Sequence, residues 1–298
     1  MPKLIKTPLL AILLLAATAT NTVLAKQLEV VASFTVLADM VRQVGGDHVH
    51  VRSLVGPNGD PHVYEPTPQD GAALSKADVI VINGLGLEGW MERLISASGG
   101  RAPAVIASSG IETRRIEEDG KEITDPHAWN SAANGATYAD NIAAALIEAD
   151  PANAADYRAN RAKYGASLRE LDIWARQEVA SVPAAKRKII TSHAAFGYLA
   201  AAYGIEFRAA VGLSTDAEPT AAGVAGLIDQ MRREKIKAVF VESSSDPRLV
   251  AQVASATHAV LGGTLYAEAL SPPLGPAPTY VEMFRYNIAS LVKAMRSN

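Results

Sequence analysis

The chain has 298 residues, with 28 Lys and Arg against 31 Asp and Glu, and it contains no cysteine. A mildly acidic chain has no electrostatic basis for gripping nucleic acid, and a chain without cysteine can have neither a disulfide framework nor a lipid-modified cysteine. Its length allows a large core or two lobes of ordinary domain size.

Residues 1–25 read as a secretory signal peptide: Lys3 and Lys6 form a basic start, Leu9 to Ala17 an apolar run, and Val23-Leu24-Ala25 a small-residue cleavage site. The apolar run is short for a membrane span, and polar Thr18, Thr20, Asn21 and Thr22 follow it. The expected product is therefore exported to the periplasm, starts near Lys26 and has no membrane anchor. Its stability must then come from the core, and a bound metal could add to it.

From Leu28 to Phe34 the sequence is rich in strand formers, and Thr35 to Val44 has helical spacing ending at Gly45-Gly46. A strand over His50 to Val55 leads through Gly56-Pro57-Asn58-Gly59 to His62. Next come a helix over Pro68 to Ser75, a strand over Val79 to Ile82, a helix through Trp90 to Ile95, a short strand over Val105 to Ala107, and a charged loop from Ile111 to Thr124. A helix over Thr137 to Ala149 follows His127. Ala152 to Val182 then gives about thirty helix-favouring residues, a rod of roughly 45 Å, unless it breaks at Gly165.

The pattern restarts with a strand over Lys188 to Thr191 and a helix over Ala195 to Tyr203. Strands over Phe207 to Val211, Ala238 to Val241 and Thr264 to Ala267 are separated by helices over Thr220 to Glu234 and Pro247 to Thr257, and a helix over Thr279 to Met295 closes the chain. Alternating strands and helices predict an α/β fold of two Rossmann-like lobes with parallel sheets joined by one long rigid helix. The expected divisions are an N-terminal metal-binding lobe over 26–150, the linking helix over 151–183 and a C-terminal metal-binding lobe over 184–298.

Asp-Pro-His occurs twice, at Asp60-Pro61-His62 and Asp125-Pro126-His127. Proline biases the preceding Asp towards extended backbone and fixes its own φ, so each histidine leaves a stiffened loop in a set direction, and a neutral imidazole so held is a good metal ligand. An ordinary turn histidine would look the same. His193 and Glu268 follow strands of the second half, and open α/β sheets bind ligands beyond the carboxyl ends of their strands. If His62, His127, His193 and Glu268 meet in one cleft, three imidazoles and one carboxylate make a closed tetrahedral set suited to Zn²⁺.

Metal-bound histidines usually donate their other ring N–H to an acceptor, and Asp60, Asp125 and Glu242 are the candidates. The two aspartates could equally cap the amides of their turns. His48 and His50 could form an extra weak site or simply line a strand edge, and His258 ends a helix. Trp129 and Tyr64 could wall the cleft or pack in the core.

In Gly59-Asp60-Pro61-His62-Val63-Tyr64-Glu65-Pro66-Thr67-Pro68, Asn83-Gly84-Leu85-Gly86-Leu87-Glu88, Asp125-Pro126-His127-Ala128-Trp129, Ser192-His193 with Gly197-Tyr198, and Val241-Glu242, the chain resembles the cluster A-I solute-binding proteins. These are the metal-binding proteins of bacterial zinc and manganese ABC importers. The resemblance covers nearly the whole chain beyond residue 25. It implies two α/β lobes bridged by a rigid helix, a metal in the interlobe cleft and delivery to an ABC importer permease served by a separate ATPase subunit, by a monomeric carrier.

The family's first two histidine ligands fall on His62 and His127. The third falls on His193, where similar manganese binders carry glutamate. The fourth, an aspartate in the family, falls on Glu268, a departure that leaves open binding through one oxygen, two, or a water. The histidine-rich loop of the family's zinc binders has no counterpart, since Ile111 to Thr124 is acidic and lacks histidine.

The expected function is capture of Zn²⁺, as transported ligand, with a manganese or other divalent-metal carrier of the same importer class as the alternative. A secreted zinc hydrolase would keep an open metal position beside a base, and the chain has no His-Glu-x-x-His or G-x-S-x-G motif. An adhesin has no repeat to support it, and a chelate-binding relative would need a wide cleft in place of converging histidines.

Overall fold

The computed structural model describes residues 26–118, 121–209, 212–213, 215 and 221–298. The expected signal peptide, residues 210–211 of the expected fourth-quarter strand and residue 220 lie outside them.

The stretch Leu28–Ala32, apolar except for the exposed Glu29, forms β1, buried at its carboxyl end, and Ser33-Phe34 leads into α1 (Thr35–Gly45), which stops where Gly46 takes φ 55°. After β2 (Val49–Ser53) the chain makes the turn that carries His62. It re-enters α2 (Pro68–Leu74) through a capping box in which Asp70 accepts the Thr67 N–H at 2.8 Å. Then come β3 (Val79–Ile82), α3 (Met91–Ser98) and β4 (Ala104–Ile106). These four strands pair in parallel in the order β2-β1-β3-β4. β1 and β3 occupy the middle and are covered on both faces, which is why β3 and the Val30–Ala32 end of β1 read as apolar runs.

The charged loop expected from Ile111 to Thr124 is instead largely an antiparallel hairpin, β5 (Arg115–Glu118) with β6 (Lys121–Thr124). Ile116 and Ile123 face each other in its register, and the period-two alternation around them outweighs the charge of their neighbours. α4 (Ala132–Ala149) begins five residues earlier than expected. Asn134-Gly135 looks like a helix breaker, but a Cβ on Gly135 would lie 3.4 Å from both Leu168 and Tyr280, so the glycine serves close packing inside the helix.

α5 (Ala154–Ala180) is a single helix of 27 residues, roughly 40 Å long, with no break at Gly165. Tyr157, Tyr164, Leu168, Leu171, Ala175 and Val179 recur every three, four or seven positions and form one buried stripe. Beyond it lie β7 (Lys188–Thr191), α6 (Gly197–Tyr203), β8 (Glu206–Ala209), α7 (Ala221–Glu234), β9 (Ala238–Glu242), α8 (Pro247–Thr257), β10 (Val260–Leu265) and α9 (Tyr280–Met295). The second sheet is also parallel, in the order β10-β9-β7-β8.

Read from its own first strand, each sheet has the second strand on one side and the third and fourth on the other, so the two lobes share one topology. β10 starts four residues before the expected strand and shifts register between Leu261 and Thr264, where a Cβ on Gly262 would strike the Phe240 ring.

One hydrophobic cluster runs from Val30 and Leu37 through Leu168 of α5 to Phe240, Leu265 and Phe284. The lobes therefore share a core, and swinging them apart about α5 would expose it. A smaller cluster of Ile190, Leu227, Met231 and Val250 lies under α7 and α8. Among the described residues, no helix is long and apolar enough to cross a membrane.

Candidate metal centre

Each of the four side chains leaves the carboxyl end of a strand or the turn after it. His62 follows β2, His127 follows the β5–β6 hairpin, His193 follows β7 and Glu268 follows β10. The two Asp-Pro-His turns are built alike: Asp60 Oδ1 accepts the His62 N–H at 2.9 Å, and Asp125 Oδ1 accepts the His127 N–H at 3.0 Å. Proline cannot donate, so the amide two residues after each aspartate closes the turn.

The rest of the positioning is long-range. Trp90 donates its indole N–H to Pro61 O at 2.8 Å and so fixes the first turn. Asn83, at the end of β3, donates to Pro126 O at 2.9 Å and accepts from the Tyr138 hydroxyl, which ties the second turn to the first sheet. Tyr198 of α6 donates to Asp125 O and receives the Arg114 N–H, each at 3.1 Å, so the base of the hairpin is pinned from the second lobe. Trp129 reaches Ala267 O at 2.8 Å, one residue before Glu268.

Glu268 Oε1 lies 2.7 Å from His62 Nε2, 3.1 Å from His127 Nε2 and 2.9 Å from His193 Nε2. The two nearer-packed imidazole nitrogens, on His62 and His127, are 3.1 Å apart, and all four donor atoms fall within 4.8 Å of one another. Four ligands around a tetrahedral zinc stand roughly 3.3 Å apart, given bonds of about 2.0–2.1 Å. The cluster thus already has the dimensions of a shared coordination shell.

Electrostatics sharpens this. His127 Nδ1 lies 2.9 Å from Asp125 Oδ1, and His193 Nδ1 pairs with Glu242 Oε2. A carboxylate oxygen accepts, so each Nδ1 carries hydrogen and each Nε2 points an electron pair into the cluster unless it is protonated. Glu242 also accepts the backbone N–H groups of Ser192 and His193, at 3.0 and 3.1 Å. His127, His193 and Glu268 are fully buried, while the His62 side chain keeps 9% exposure.

Burial alone would push both inner histidines towards the neutral form. For His127, the hydrogen bonds to Asp125 and Glu268 override burial and raise its pKa; for His193, the charges of Glu242 and Glu268 raise it well above the usual value. Burial would raise the Glu268 pKa, but the charge of His193 and hydrogen bonds from His127, His193 and His62 hold it well below the ordinary range. The cavity calls for positive charge, supplied by protons or by a metal cation.

Among the other candidates, the Asp60 carboxylate takes its turn amide, whereas Asp125 and Glu242 each serve both backbone and imidazole. His48 and His50 do not share a site: the first pairs with Asp156 at 2.9 Å and the second with Glu29 at 2.7 Å. His258 takes φ 55° as the left-handed cap of α8. Trp129 is buried, its ring 5.4 Å from that of His127, and Tyr64 packs on Trp90 and bonds Asp70.

The profile described as "Zinc-uptake complex component A periplasmic", ZnuA, matches residues 30–294. The chain belongs to the ZnuA family. It is 36% identical to the manganese-binding lipoprotein MntA of Bacillus subtilis, covering 91% of this chain and 90% of that protein. To the iron-binding protein YfeA of Yersinia pestis it is 34% identical, covering 90% and 86%. The structure of the periplasmic zinc-binding protein TroA of Treponema pallidum superposes with a TM-score of 0.85 at 30% identity, over 90% of this chain and 99% of that one.

As a ZnuA-family member the chain is a periplasmic metal-binding component of an ABC importer, and it is not an enzyme. The geometry distinguishes its two aspartates. Asp125→Asn keeps the turn but removes the charge that polarises His127, and should lower metal affinity by about 10–100-fold. Asp60→Asn should cost less, because that carboxylate holds an amide. Parallel metal titrations of the two variants check the order.

Proposed function

We propose that this chain captures Zn²⁺ between its lobes through His62, His127, His193 and Glu268, and hands it as cargo to the importer's permease. The observation that carries this reading is the convergence of three imidazole Nε2 atoms on Glu268 Oε1. Three nitrogen donors and one carboxylate in a four-point cluster suit zinc, whereas manganese favours more oxygen-rich, higher-coordinate surroundings. His193 is the decisive donor, because a carboxylate there would give two nitrogens and two carboxylates.

The names of MntA and YfeA suggest a second reading, a manganese or iron carrier, but they say nothing of the donor at this position. His62 is the partly exposed ligand, and a cavity of about 390 Å³ opens beside it between Leu85, Gly86, Ile123, Thr124 and Pro126. Metal would enter and leave on that side. The sequence contains no G-x-x-x-x-G-K-[ST] loop, so ATP hydrolysis belongs to a separate subunit. With one core spanning both lobes, loading involves small loop movements near His62 in place of a wide hinge.

Titration of the metal-free protein with zinc against a competing chelator should show one tight equivalent. Affinity should fall as pH is lowered, and the fall should begin above the ordinary histidine value of about 6.5, because His127 and His193 hold protons more tightly than free imidazole. Zinc outranks manganese at most nitrogen-containing sites, so the metal content of protein taken from cells grown on balanced metals is the sharper test of cargo. Zinc is expected there; manganese or iron would overturn the assignment.

A further inference from the structure

The turn at the end of β9 orients two ligands at once. Glu242 holds His193, and two residues later the Ser244 hydroxyl donates to Glu268 Oε2 at 3.3 Å. The turn is itself fixed, with Ser243 N–H on Leu265 O at 2.8 Å and Ser245 N–H on Glu242 O at 3.1 Å. Of the two Glu268 oxygens, Oε1 meets all three imidazoles, and Oε2 is the one turned to serine.

Resting on the zinc reading above, we propose that Ser244 is a positioning and specificity-determining residue that keeps Glu268 a one-oxygen donor. A glutamate reaches one methylene further than an aspartate, and with both oxygens free it could swing to chelate through both. That would raise the site to five donors, two of them oxygen, and move it towards metals that prefer oxygen-rich, higher-coordinate shells. A hydroxyl on Oε2 opposes this swing. It leaves three nitrogens and one oxygen, the closed four-coordinate set that zinc accepts.

The test compares the parent protein with Ser244→Ala and Ser244→Thr, measuring zinc and manganese affinities by chelator competition and the zinc environment by X-ray absorption. The parent should show three nitrogens and a single carboxylate oxygen. Ser244→Ala should lower the zinc-to-manganese affinity ratio at least tenfold and add a second carboxylate oxygen to the shell, while Ser244→Thr, which keeps the hydroxyl, should restore the parental values.

An unchanged ratio in Ser244→Ala, or an equal loss for both metals, would overturn the proposal and leave Ser244 a structural residue. Two carboxylate oxygens in the parent would overturn it whatever the variants do. Absence of any tight zinc equivalent in the parent would be the separate failure of the zinc reading.

Discussion

His193→Ala should weaken zinc binding by about 100- to 1,000-fold. A structural zinc site yields roughly 10–16 kcal/mol, so an equal share for one of four donors is about 2.5–4 kcal/mol. His193 is held at both ring nitrogens, with Nε2 at 2.9 Å from Glu268 Oε1 and Nδ1 on Glu242, and has no exposed surface. The variant also leaves Glu242 without its imidazole, although the backbone N–H groups of Ser192 and residue 193 still serve that carboxylate. Titration in the presence of free imidazole separates the two effects. A small molecule filling the space left by the ring should recover part of the zinc affinity, whereas damage to the fold would not respond.

Glu268→Gln should give the largest stability change in the metal-free protein, about 3–5 kcal/mol near pH 6, because it strips the buried positive charge of its counterion. The pH dependence follows from the directions of the shifts. His127 and His193 have raised pKa values in the folded state, so their contribution is full below the unfolded value of about 6.5 and is lost as pH rises through the folded values. Glu268 has a lowered value, so its contribution is present above about pH 4.3 and is lost as pH falls through the folded value.

The cluster therefore stabilises the metal-free chain most between about pH 4.3 and 6.5. On the proposed function, bound zinc displaces these protons and should stabilise the chain increasingly as pH rises. Denaturant melts of parent and Glu268→Gln from pH 5 to 8, with and without zinc, should show the variant's metal-free penalty shrinking towards pH 8 as the imidazoles shed protons. A penalty independent of pH would mean that Glu268 and the histidines are not coupled as described.

The four converging side chains were legible because each follows a local signal: two proline-stiffened turns, and two strands whose apolar runs end in a polar residue. The long helix was equally legible, since about thirty helix-favouring residues without an internal proline need no tertiary context. What escaped the sequence depends on partners far along the chain. Asn83, Tyr198, Trp90 and Ser244 look like ordinary polar or aromatic residues until folding sets them against Pro126, Asp125, Pro61 and Glu268.

Gly135 reads as a helix breaker because propensity cannot register the closeness of Leu168 and Tyr280. In the hairpin, charge masked a two-residue alternation whose Ile116–Ile123 pair is visible only once the strands are in register. The two aspartates of the repeated Asp-Pro-His show the limit most clearly. Identical letters build the same turn twice, yet of the two carboxylates Asp125 is the one that also reaches its histidine ring at Nδ1.

Anomalous diffraction at the zinc edge, on crystals of the zinc-loaded protein, would locate the bound metal. One strong peak is expected, about 2.0–2.2 Å from Nε2 of His62, His127 and His193 and from one oxygen of Glu268; such a peak would place zinc between the lobes. A peak elsewhere on the protein, or one lacking any of those four contacts, would contradict it.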